Sequence, residues 1–405
     1  MKKIIKIIGI LILVSVAGLF LYLFTVVPGK LMVSMNETVF PGPYTVSEEA
    51  AKLHNSLFVA DLHCDATLWN RDLLDRDTRG HVDVPRLLEG NVALQGFTAA
   101  TRTPYGQNSV ATEDKLDQMI PLTFISGWPA STWLSSHERA LYQAQRLHDA
   151  ARRSEGVLTV IETKEDLAEY VEKRKTNPKI TAGFLGVEGL HALEGDLENV
   201  RVLYNAGYRM MAPTHFFDNL VGGSMHGMKK YGLTEFGKVV IEFMQELHII
   251  VDLAHCSSKV VDDVLAMATG PVVTSHTGVK GTCDNNRNLS DEQLQGIAAT
   301  GGLIGIGFFD FAVCGEDVDH IVAAIKYTAD LVGVDYVALG SDFDGAVVVP
   351  IDTTGVAMIT EGLMEVGFSD EDIAKIMGAN VQRVLALSLP SRDFSSAAAK
   401  KPSVE

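Results

Sequence analysis

The sequence predicts an α/β fold: a (β/α)8 TIM-like barrel that follows one N-terminal transmembrane helix. Eight short apolar or β-branched runs alternate with amphipathic stretches, as in repeated βα units. The chain has 405 residues, a length that suits a barrel with insertions. Its first predicted strand is followed by Cys-Asp-Ala-Thr at 64–67 rather than by a glycine-rich turn, which argues against a doubly wound nucleotide-binding sheet.

The secondary-structure elements follow from hydrophobic periodicity. The predicted strands are 58–63, 92–99, 181–188, 208–214, 249–255, 271–276, 302–308 and 336–342. The predicted helices are 136–153, 233–248, 257–268, 317–332, 360–366 and 370–387. The segment 101–156 is a long insertion between strands, which we expect to cap the mouth of the barrel.

The N-terminus carries Lys2, Lys3 and Lys6 ahead of an uncharged apolar run at 7–27. This run is close to the ~20 residues that a helix needs to cross a bilayer. Because the lysines all precede it, we expect a cytoplasmic N-terminus and export of the remaining chain. A cleaved signal peptide is the alternative, but the run does not end in a small-x-small cleavage site, so an uncleaved anchor is favoured.

These signals divide the chain into four parts. We expect an anchor at 1–27, a linker and lead-in at 28–55, the barrel at 56–390 and a disordered polar tail at 391–405. The formal net charge is −17, so the exported body repels nucleic acid. The four cysteines form no C-x-x-C pair, so they signal neither a disulfide framework nor a structural zinc finger, and they leave the redox compartment open.

Metal-capable side chains end four of the predicted strands, at the end of a barrel where active sites are built. His63 and Asp65 are two residues apart in extended chain and project from one face, while Glu188, His255 and His276 end three further strands. Nitrogen and carboxylate ligands without cysteine suit zinc or a neighbouring divalent ion. Five ligands are too many for one tetrahedral ion. We therefore expect two ions that share Glu188 and a bridging hydroxide.

Each of these residues also has a structural interpretation. A single strand-end histidine such as His255 is more often a hydrogen-bonded structural residue, and Asp65 or Glu188 alone suits a helix N-cap or a salt bridge. Their joint occurrence favours a metal centre. At the end of the last strand, Asp342 is the better candidate for a general base or proton shuttle, whereas Asp344 is interpreted as a turn residue.

In this order the motifs resemble the membrane dipeptidase family, the renal-dipeptidase-like zinc peptidases of the amidohydrolase superfamily, over residues 56–388. The resemblance is carried by Asp-Leu-His-Cys-Asp at 61–65, Gly-Val-Glu-Gly at 186–189, Pro-Thr-His at 213–215, Asp-Leu-Ala-His at 252–255, Ser-His-Thr at 275–277, Asn-Arg-Asn at 286–288 and Gly-Ser-Asp-Phe-Asp-Gly at 340–345. It implies a barrel with two zinc ions. His63 and Asp65 would bind one ion, His255 and His276 the other, and Glu188 both.

The resemblance also implies roles for three residues around the metals. His215 would polarise the scissile carbonyl or stabilise the oxyanion, and Arg287 would grip the terminal carboxylate of the substrate through its planar fork. Asp342 would take a proton from the bridging water and pass it to the departing amine. Cys64 stands between the first two ligands, but strand alternation points it away from them, so we expect it to pack.

We therefore expect a zinc dipeptidase that hydrolyses the peptide bond of dipeptides, including those with a C-terminal D-residue. The N-terminal helix and the stretch 277–281 resemble bacterial members, which predicts a bacterial cytoplasmic membrane with the catalytic body on its periplasmic or extracellular side. The alternatives are another amidohydrolase acting on a lactam, a lactone or an N-acyl amino acid, and a catalytically inactive metal-binding barrel. Homodimers are common in the family, although no feature of this sequence requires one.

Overall fold

The computed structural model describes residues 2–398 and has an α/β fold built around a curled, nine-stranded parallel sheet. The strands are β1 (Val59–Cys64), β2 (Val92–Ala100), β3 (Leu158–Val160), β4 (Thr181–Glu188), β5 (Tyr208–Ala212), β6 (Ile250–Val251), β7 (Val273–Thr277), β8 (Leu303–Ile306) and β9 (Val337–Leu339). Their residues are almost all buried, as expected for parallel strands covered on both faces.

The sheet follows the order β6-β5-β4-β2-β1-β9-β8-β7, with β3 paired to β4 outside this path. Its two end strands meet at an isolated parallel bridge between Asp252 and Val273, where the Leu253 N–H donates to the Val273 carbonyl at 2.7 Å. The sheet therefore curls back on itself like a barrel. Because all its strands are parallel, their carboxyl ends gather at one end.

All eight predicted strands overlap observed ones, and β3 was missed because three residues carry no readable periodicity. Four predicted strands are too long at their carboxyl ends. The excess is two residues at β5 and at β8, but it is larger at β6, which ends at Val251, and at β9, which ends at Leu339. Beyond them, His255 and Asp342 adopt positive φ angles of 60° and 61°, which regular strands do not contain. The chain leaves the sheet there and turns these two side chains toward the carboxyl end.

Seventeen α-helices lie among residues 2–398. They are α1 (Lys2–Thr25), α2 (Val27–Met35), α3 (Glu48–Ser56), α4 (Val84–Glu89), α5 (Met119–Ile125), α6 (Ser136–Arg153), α7 (Lys164–Thr176), α8 (Asn199–Asn205), α9 (Glu235–Glu246), α10 (Ser258–Met267), α11 (Asp291–Ala299), α12 (Asp310–Val313), α13 (Val318–Val332), α14 (Ala357–Glu365), α15 (Asp370–Ala374), α16 (Asn380–Ser388) and α17 (Arg392–Ala398). Every predicted helix overlaps at least one of them.

The C-terminal region differs from the prediction in two places. The predicted helix 370–387 is interrupted by a π-helical turn, Lys375–Ala379, where Gly378 packs so closely against the Phe58 carbonyl that no Cβ would fit. The prediction of a disordered tail from 391 is wrong for α17, because Tyr204 donates a hydrogen bond to Ser395 and Arg392 pairs with Asp166 at 2.8 Å. The remaining predicted tail, 399–405, lies outside the described residues.

The N-terminal region contains a helix long and apolar enough to cross a membrane, judged by length and composition. The predicted boundary at 28 implies that this helix is followed by a linker, but the structure has no such linker at this point. Instead α2 continues the helix, and Met32 is buried against Leu68, Trp69, Met119 and Trp128. The segment after α2 also pairs with the body, since the Val39 N–H donates to the Val349 carbonyl at 2.9 Å. Residues after 27 are thus part of the folded body.

Replacing Met32 by alanine is expected to destabilise this junction by about 2–5 kcal/mol, since it removes a buried side chain and leaves a cavity. The matched control is Val33→Ala on the same helix, an exposed position where we expect a change within about 0.5 kcal/mol. Urea unfolding of the full chain, followed by tryptophan fluorescence, would report the difference because Trp69 and Trp128 lie in the same cluster. Equal midpoints for the two variants would show that α2 contributes no packing energy.

Candidate metal centre

The carboxylate of Glu188, at the carboxyl end of β4, lies at the centre of a cluster of histidines. Its Oε1 atom is 3.2 Å from Nε2 of His255, 3.4 Å from Nε2 of His276 and 3.5 Å from Nε2 of His63. Its Oε2 atom is 3.2 Å from Nε2 of His215. Four strand ends therefore deliver their imidazoles to one carboxylate, as the predicted convergence requires.

Two further carboxylates approach the same cluster from the ends of β1 and β9. Asp65 Oδ1 lies 3.9 Å and Asp342 Oδ1 lies 3.7 Å from Nε2 of His63. Thr98 on β2 donates a hydrogen bond to Asp65 Oδ1 at 2.8 Å and so helps to fix its orientation. All three acidic side chains of the site, together with the four histidines, are buried.

Three overlapping sets of side chains have ligand atoms within 4.8 Å of one another, which is close enough to hold a metal ion. The sets are His63 with Glu188 and His276, Glu188 with His215 and His255, and His63 with Asp65 and Asp342. All five predicted ligands occur in these sets. His215 and Asp342 occur in them too, although the sequence analysis gave them other roles.

The chemistry of the buried site fits a divalent cation. Glu188 Oε1 is buried and has no hydrogen-bond partner among residues 2–398, although three imidazole nitrogens lie within 3.5 Å of it. A buried, unsatisfied carboxylate oxygen is costly unless a cation compensates it. Nε2 of His255 and Nε2 of His276 also lie only 2.9 Å apart. A cation bound beside them would accept the lone pairs of both nitrogens.

Burial sets the protonation of the cluster. It lowers the pKa of His63 to about 4, and it lowers the pKa of His255 and His276 well below the usual value. These imidazoles are therefore neutral near pH 7, as metal ligands must be. Burial, and then the charge of Glu188, raises the pKa of Asp65 and Asp342, since three carboxylates crowd together. A divalent cation bound among these carboxylates would attract all three and so offset their mutual repulsion.

Hydrogen bonds behind the cluster orient the histidines. One hydroxyl, Ser275 Oγ, lies 3.1 Å from Nδ1 of His63 and 2.9 Å from Nδ1 of His276. Nδ1 of His255 lies 3.0 Å from Nε2 of His226, whose own Nδ1 is 3.1 Å from the Ser109 carbonyl. Partners of this kind fix the ring orientation and tautomer of metal-binding histidines.

Sequence reasoning missed His226 and Ser275 as partners of the cluster. His226 lies in the long connection after β5 and ends no strand, so strand-end analysis could not select it. Ser275 was part of a quoted motif but received no role. Its position next to His276 was the only available signal.

Arg287 is fully enclosed at the edge of the cluster. Its Nη2 donates to the His276 carbonyl at 2.6 Å, and its guanidinium lies 5.6 Å from the centroid of the Phe309 ring. Its loop is tied to the next one by a disulfide between Cys283 and Cys314. The cysteine spacing gave no hint of this bond, because a pair 31 residues apart has no sequence signature. Disulfides persist in oxidising compartments, which agrees with an exported body.

Residues interpreted as structural have structural contacts. Asp344 lies in a turn with φ of 62°, and its carboxylate accepts hydrogen bonds from Arg71 and from the His81 N–H. Cys64 is buried in the hydrophobic core as a free thiol. Within the part of the chain that the structure describes, neither side chain belongs to a set that could hold a metal ion.

A cavity of about 280 Å³ lies over the cluster. Asp65, Glu188, His215, His255, Asp342 and Arg287 line it together with apolar side chains, among them Met35, Trp69 and Phe309. The insertion 101–156 contributes Thr103, Gln107, Asn108, Ser109, Gln118, Met119 and Leu122 to its wall. A concave site with a few convergent polar groups on an otherwise apolar lining is typical of a small-molecule site.

Solved structures share this fold. A dipeptidase described as a metallopeptidase of family M19 superimposes with a TM-score of 0.69 at 24% identity, covering 83% of this chain and all of that one. A metallopeptidase from Rhodobacter sphaeroides, liganded with a phosphinate mimic of the dipeptide L-Ala-D-Ala, gives 0.69 at 24% identity over 82% of this chain and 99% of that one. At these identities the likeness concerns the fold.

Two curated relatives are dipeptidases from fungi. A dipeptidase of Claviceps purpurea (strain 20.1) is 25% identical over 327 residues, which is 76% of this chain and 70% of the relative. A dipeptidase of Clonostachys rogersoniana is 30% identical over 211 residues, half of this chain and 54% of the relative. The family model described as membrane dipeptidase, peptidase family M19, matches residues 47–389 and so includes every residue of the cluster. The chain therefore belongs to the membrane dipeptidase family of metallopeptidases and is a hydrolase acting on peptide bonds.

Proposed function

We propose that this dipeptidase uses two zinc ions bridged by Glu188, and that it cleaves dipeptides presenting a free C-terminal carboxylate. The observation that carries the proposal is the buried Glu188 Oε1, which lacks a hydrogen-bond partner in the described chain and has three imidazole nitrogens around it. His63 and Asp65 would hold one ion, and His255 and His276 the other. This ligand chemistry suits zinc, which when bound would supply a water nucleophile at neutral pH and polarise the scissile carbonyl.

Two residues of the chain would complete the chemistry. Asp342 would accept the proton of the attacking water and deliver it to the departing amine, a role favoured by burial, which raises the pKa of its carboxyl. His215 lines the cavity and has a buried Nδ1 without a hydrogen-bond partner in the described chain. A neutral imidazole carries a single N–H, so His215 would stabilise the developing oxyanion in the tautomer that directs this N–H into the cavity, as donors in a water-poor site do.

Arg287 would bind the carboxylate of the substrate. Its side chain is enclosed, its Nη2 donates to the His276 carbonyl and its Nη1 donates to Thr277 Oγ1 at 3.5 Å, so the Nε hydrogen and one hydrogen on each Nη atom would be left for a ligand. A planar guanidinium in an enclosed site favours a carboxylate over a neutral amide. This interaction would orient the scissile bond over the metals.

Replacing Arg287 by lysine is expected to lower kcat/KM for dipeptides with a free C-terminus by about tenfold to a hundredfold, since a charged hydrogen-bond pair is worth about 1.5–3 kcal/mol. The same peptides with an amidated C-terminus should lose far less. Steady-state kinetics on both series, with zinc content measured for each preparation, would check this. Equal losses on the two series would remove Arg287 from carboxylate binding.

The direct test of the proposed function is hydrolysis of L-L and L-D dipeptides by the full chain, with zinc and after chelation. The L-D series is included because a relative of the same fold binds a mimic of L-Ala-D-Ala. Chelator-sensitive cleavage of dipeptides supports the proposal. A zinc-loaded protein that cleaves only lactams, lactones or N-acyl amino acids, or nothing at all, would contradict it.

We further propose that the N-terminal helix stays attached as a membrane anchor. α1 runs into α2 with only Val26 between them, and α2 packs into the body, so the junction offers no extended, accessible segment of the kind a signal peptidase cleaves. Intact mass of the membrane-extracted protein would test this, because a cleaved chain would lack residues 1–27. The assignment to a bacterial membrane rests on the sequence resemblance alone, since the curated relatives described above are fungal.

A further inference from the structure

The insertion carries a group of strongly exposed apolar side chains, which we name the apolar rim. Its members are Tyr105, Val110, Leu116, Ile120, Phe124 and Leu134, with exposed fractions from 36% to 83%. Scattered exposed apolar residues are normal on soluble proteins, but a group of this size within thirty residues is not. An exposed apolar surface of this kind usually marks a site of contact with a protein or a membrane.

The rim lies beside the N-terminal helix. The Phe124 ring is 5.2 Å from the ring of Phe24 near the end of α1, and Leu31 on α2 shares an apolar groove of about 500 Å³ with Tyr105, Leu116 and Ile120. The rim thus continues the apolar surface of the helix onto the body. Its position relative to the helix is fixed by these side-chain contacts.

The helix sets the depth of the rim in a bilayer. Residues 7–27 are uncharged, with Lys6 before them and Lys30 shortly after them, and as a helix they span about 32 Å, close to the ~30 Å hydrocarbon core. Lysines at the ends of such a span extend into the headgroup region. Phe24 precedes Lys30 by about 9 Å along the helix, so it lies within the hydrocarbon core, close to the boundary on the side of the catalytic body. Phe124, in contact with Phe24, lies at that boundary.

The composition of the rim suits this depth. Tyr105 carries an aromatic ring with a polar end, and Trp133, whose ring is 5.0 Å from that of Phe124, donates its indole N–H to the Trp128 carbonyl. Aromatic side chains of this kind are enriched where membrane and water meet. Leucine and isoleucine supply the apolar area that a surface inserted among acyl chains needs.

We propose that the apolar rim is inserted into the interface of the lipid bilayer, next to the point where the N-terminal helix leaves it. The active-site cavity and the apolar groove share Met35, Gln118 and Leu122 as walls, so this contact holds the cavity beside the membrane surface. The inference rests on the membrane anchor of the proposed function. It adds a second contact between body and lipid that no part of the anchor supplies.

The test uses the full chain in phosphatidylcholine nanodiscs, with a nitroxide attached to single introduced cysteines. Labelling is selective because Cys64 and Cys256 are buried and the other two cysteines form a disulfide. Leu116→Cys and Leu134→Cys report on the rim. Leu387→Cys, on α16, is a water-exposed control with an exposed fraction of 58%, and Leu13→Cys marks the span. The readout is the collision rate with oxygen, which concentrates in lipid, relative to that with a water-soluble nickel chelate.

We expect an oxygen-to-nickel ratio at 116 and 134 that is several-fold above the ratio at 387 and below the ratio at 13. A rim ratio equal to that of 387, with a lipid-like ratio at 13, would overturn the inference and leave the anchor intact. Water-like values at all four positions would instead refute the anchor of the proposed function. Exclusion of both reagents at 116 and 134 would mean that a protein covers the rim, which also overturns the inference.

Discussion

Replacing Asp342 by asparagine is expected to leave the metal content unchanged and to lower kcat by about 10²–10⁴-fold, the usual contribution of a positioned proton-transfer group. The amide keeps the size of the side chain but cannot accept a proton. Asparagine also tolerates the positive φ of 61° at this position, so the loop should keep its conformation. Metal analysis and steady-state kinetics on the same preparation would measure both quantities.

This prediction separates two roles that the geometry leaves open for Asp342. Its Oδ1 lies 3.7 Å from His63 Nε2, in a set that could itself hold a metal ion. Loss of metal from the asparagine variant would therefore make Asp342 a ligand rather than a proton carrier. Asp344→Asn is the matched control two residues away: it weakens the pairing with Arg71 and should lower thermal stability while the folded protein keeps its turnover.

The convergence of the candidate ligands at the strand ends was predictable because the carboxyl ends of parallel strands lie at one edge of the sheet. Each strand that is buried on both faces stands out as an apolar run, and the polar residue that ends it lies at the carboxyl edge. His63, Glu188 and His276 follow this rule directly, since each belongs to or directly adjoins an observed strand. Their approach to one another then required only that the sheet curl.

The surroundings of the site could not be predicted in the same way. His226 contacts His255 from a connection without periodicity, and Met35 reaches the cavity from a helix interpreted as anchor and linker. The disulfide between Cys283 and Cys314 likewise depends on how two loops meet in space. Such contacts are set by tertiary packing between distant segments, for which a single sequence carries no local signal.

The end regions show a related limit. Polar composition predicted disorder after 391, yet α17 is held by Tyr204 and Asp166 from elements far away in sequence. Composition measures whether a segment can bury its own apolar surface, but it does not account for hydrogen bonds offered by a neighbour. The same holds for α2, whose Met32 is buried by side chains of the body.

Replacing Glu188 by glutamine is expected to have a second large effect, loss of bound metal together with loss of activity. The amide keeps the shape of the side chain but removes a carboxylate that lies within 3.5 Å of a ring nitrogen of each of the four histidines. Removing one partner of a buried charge pair costs about 3–5 kcal/mol, which corresponds to a loss of metal affinity of about a hundredfold to several thousandfold. Zinc titration with a competing chelator would measure it. Glu194→Gln, at an exposed side chain that accepts a hydrogen bond from Ser135, should bind zinc like the unmodified chain.

The same substitution should have the opposite effect on the metal-free protein, and this reversal is expected of a metal ligand but not of a packing residue. Without metal, the buried carboxylates of Asp65, Glu188 and Asp342 repel one another: burial is the main cause of the raised pKa of both aspartates, and the charge of Glu188 raises it further. Glu188→Gln removes one of these charges, so after chelation the variant should unfold at a higher temperature than the unmodified chain. With zinc present, the unmodified chain should unfold at the higher temperature, because bound zinc stabilises only the chain that retains its affinity for zinc. If the variant were less stable than the unmodified chain both after chelation and with zinc, Glu188 would be a packing residue. That result would contradict the proposal that Glu188 bridges two zinc ions.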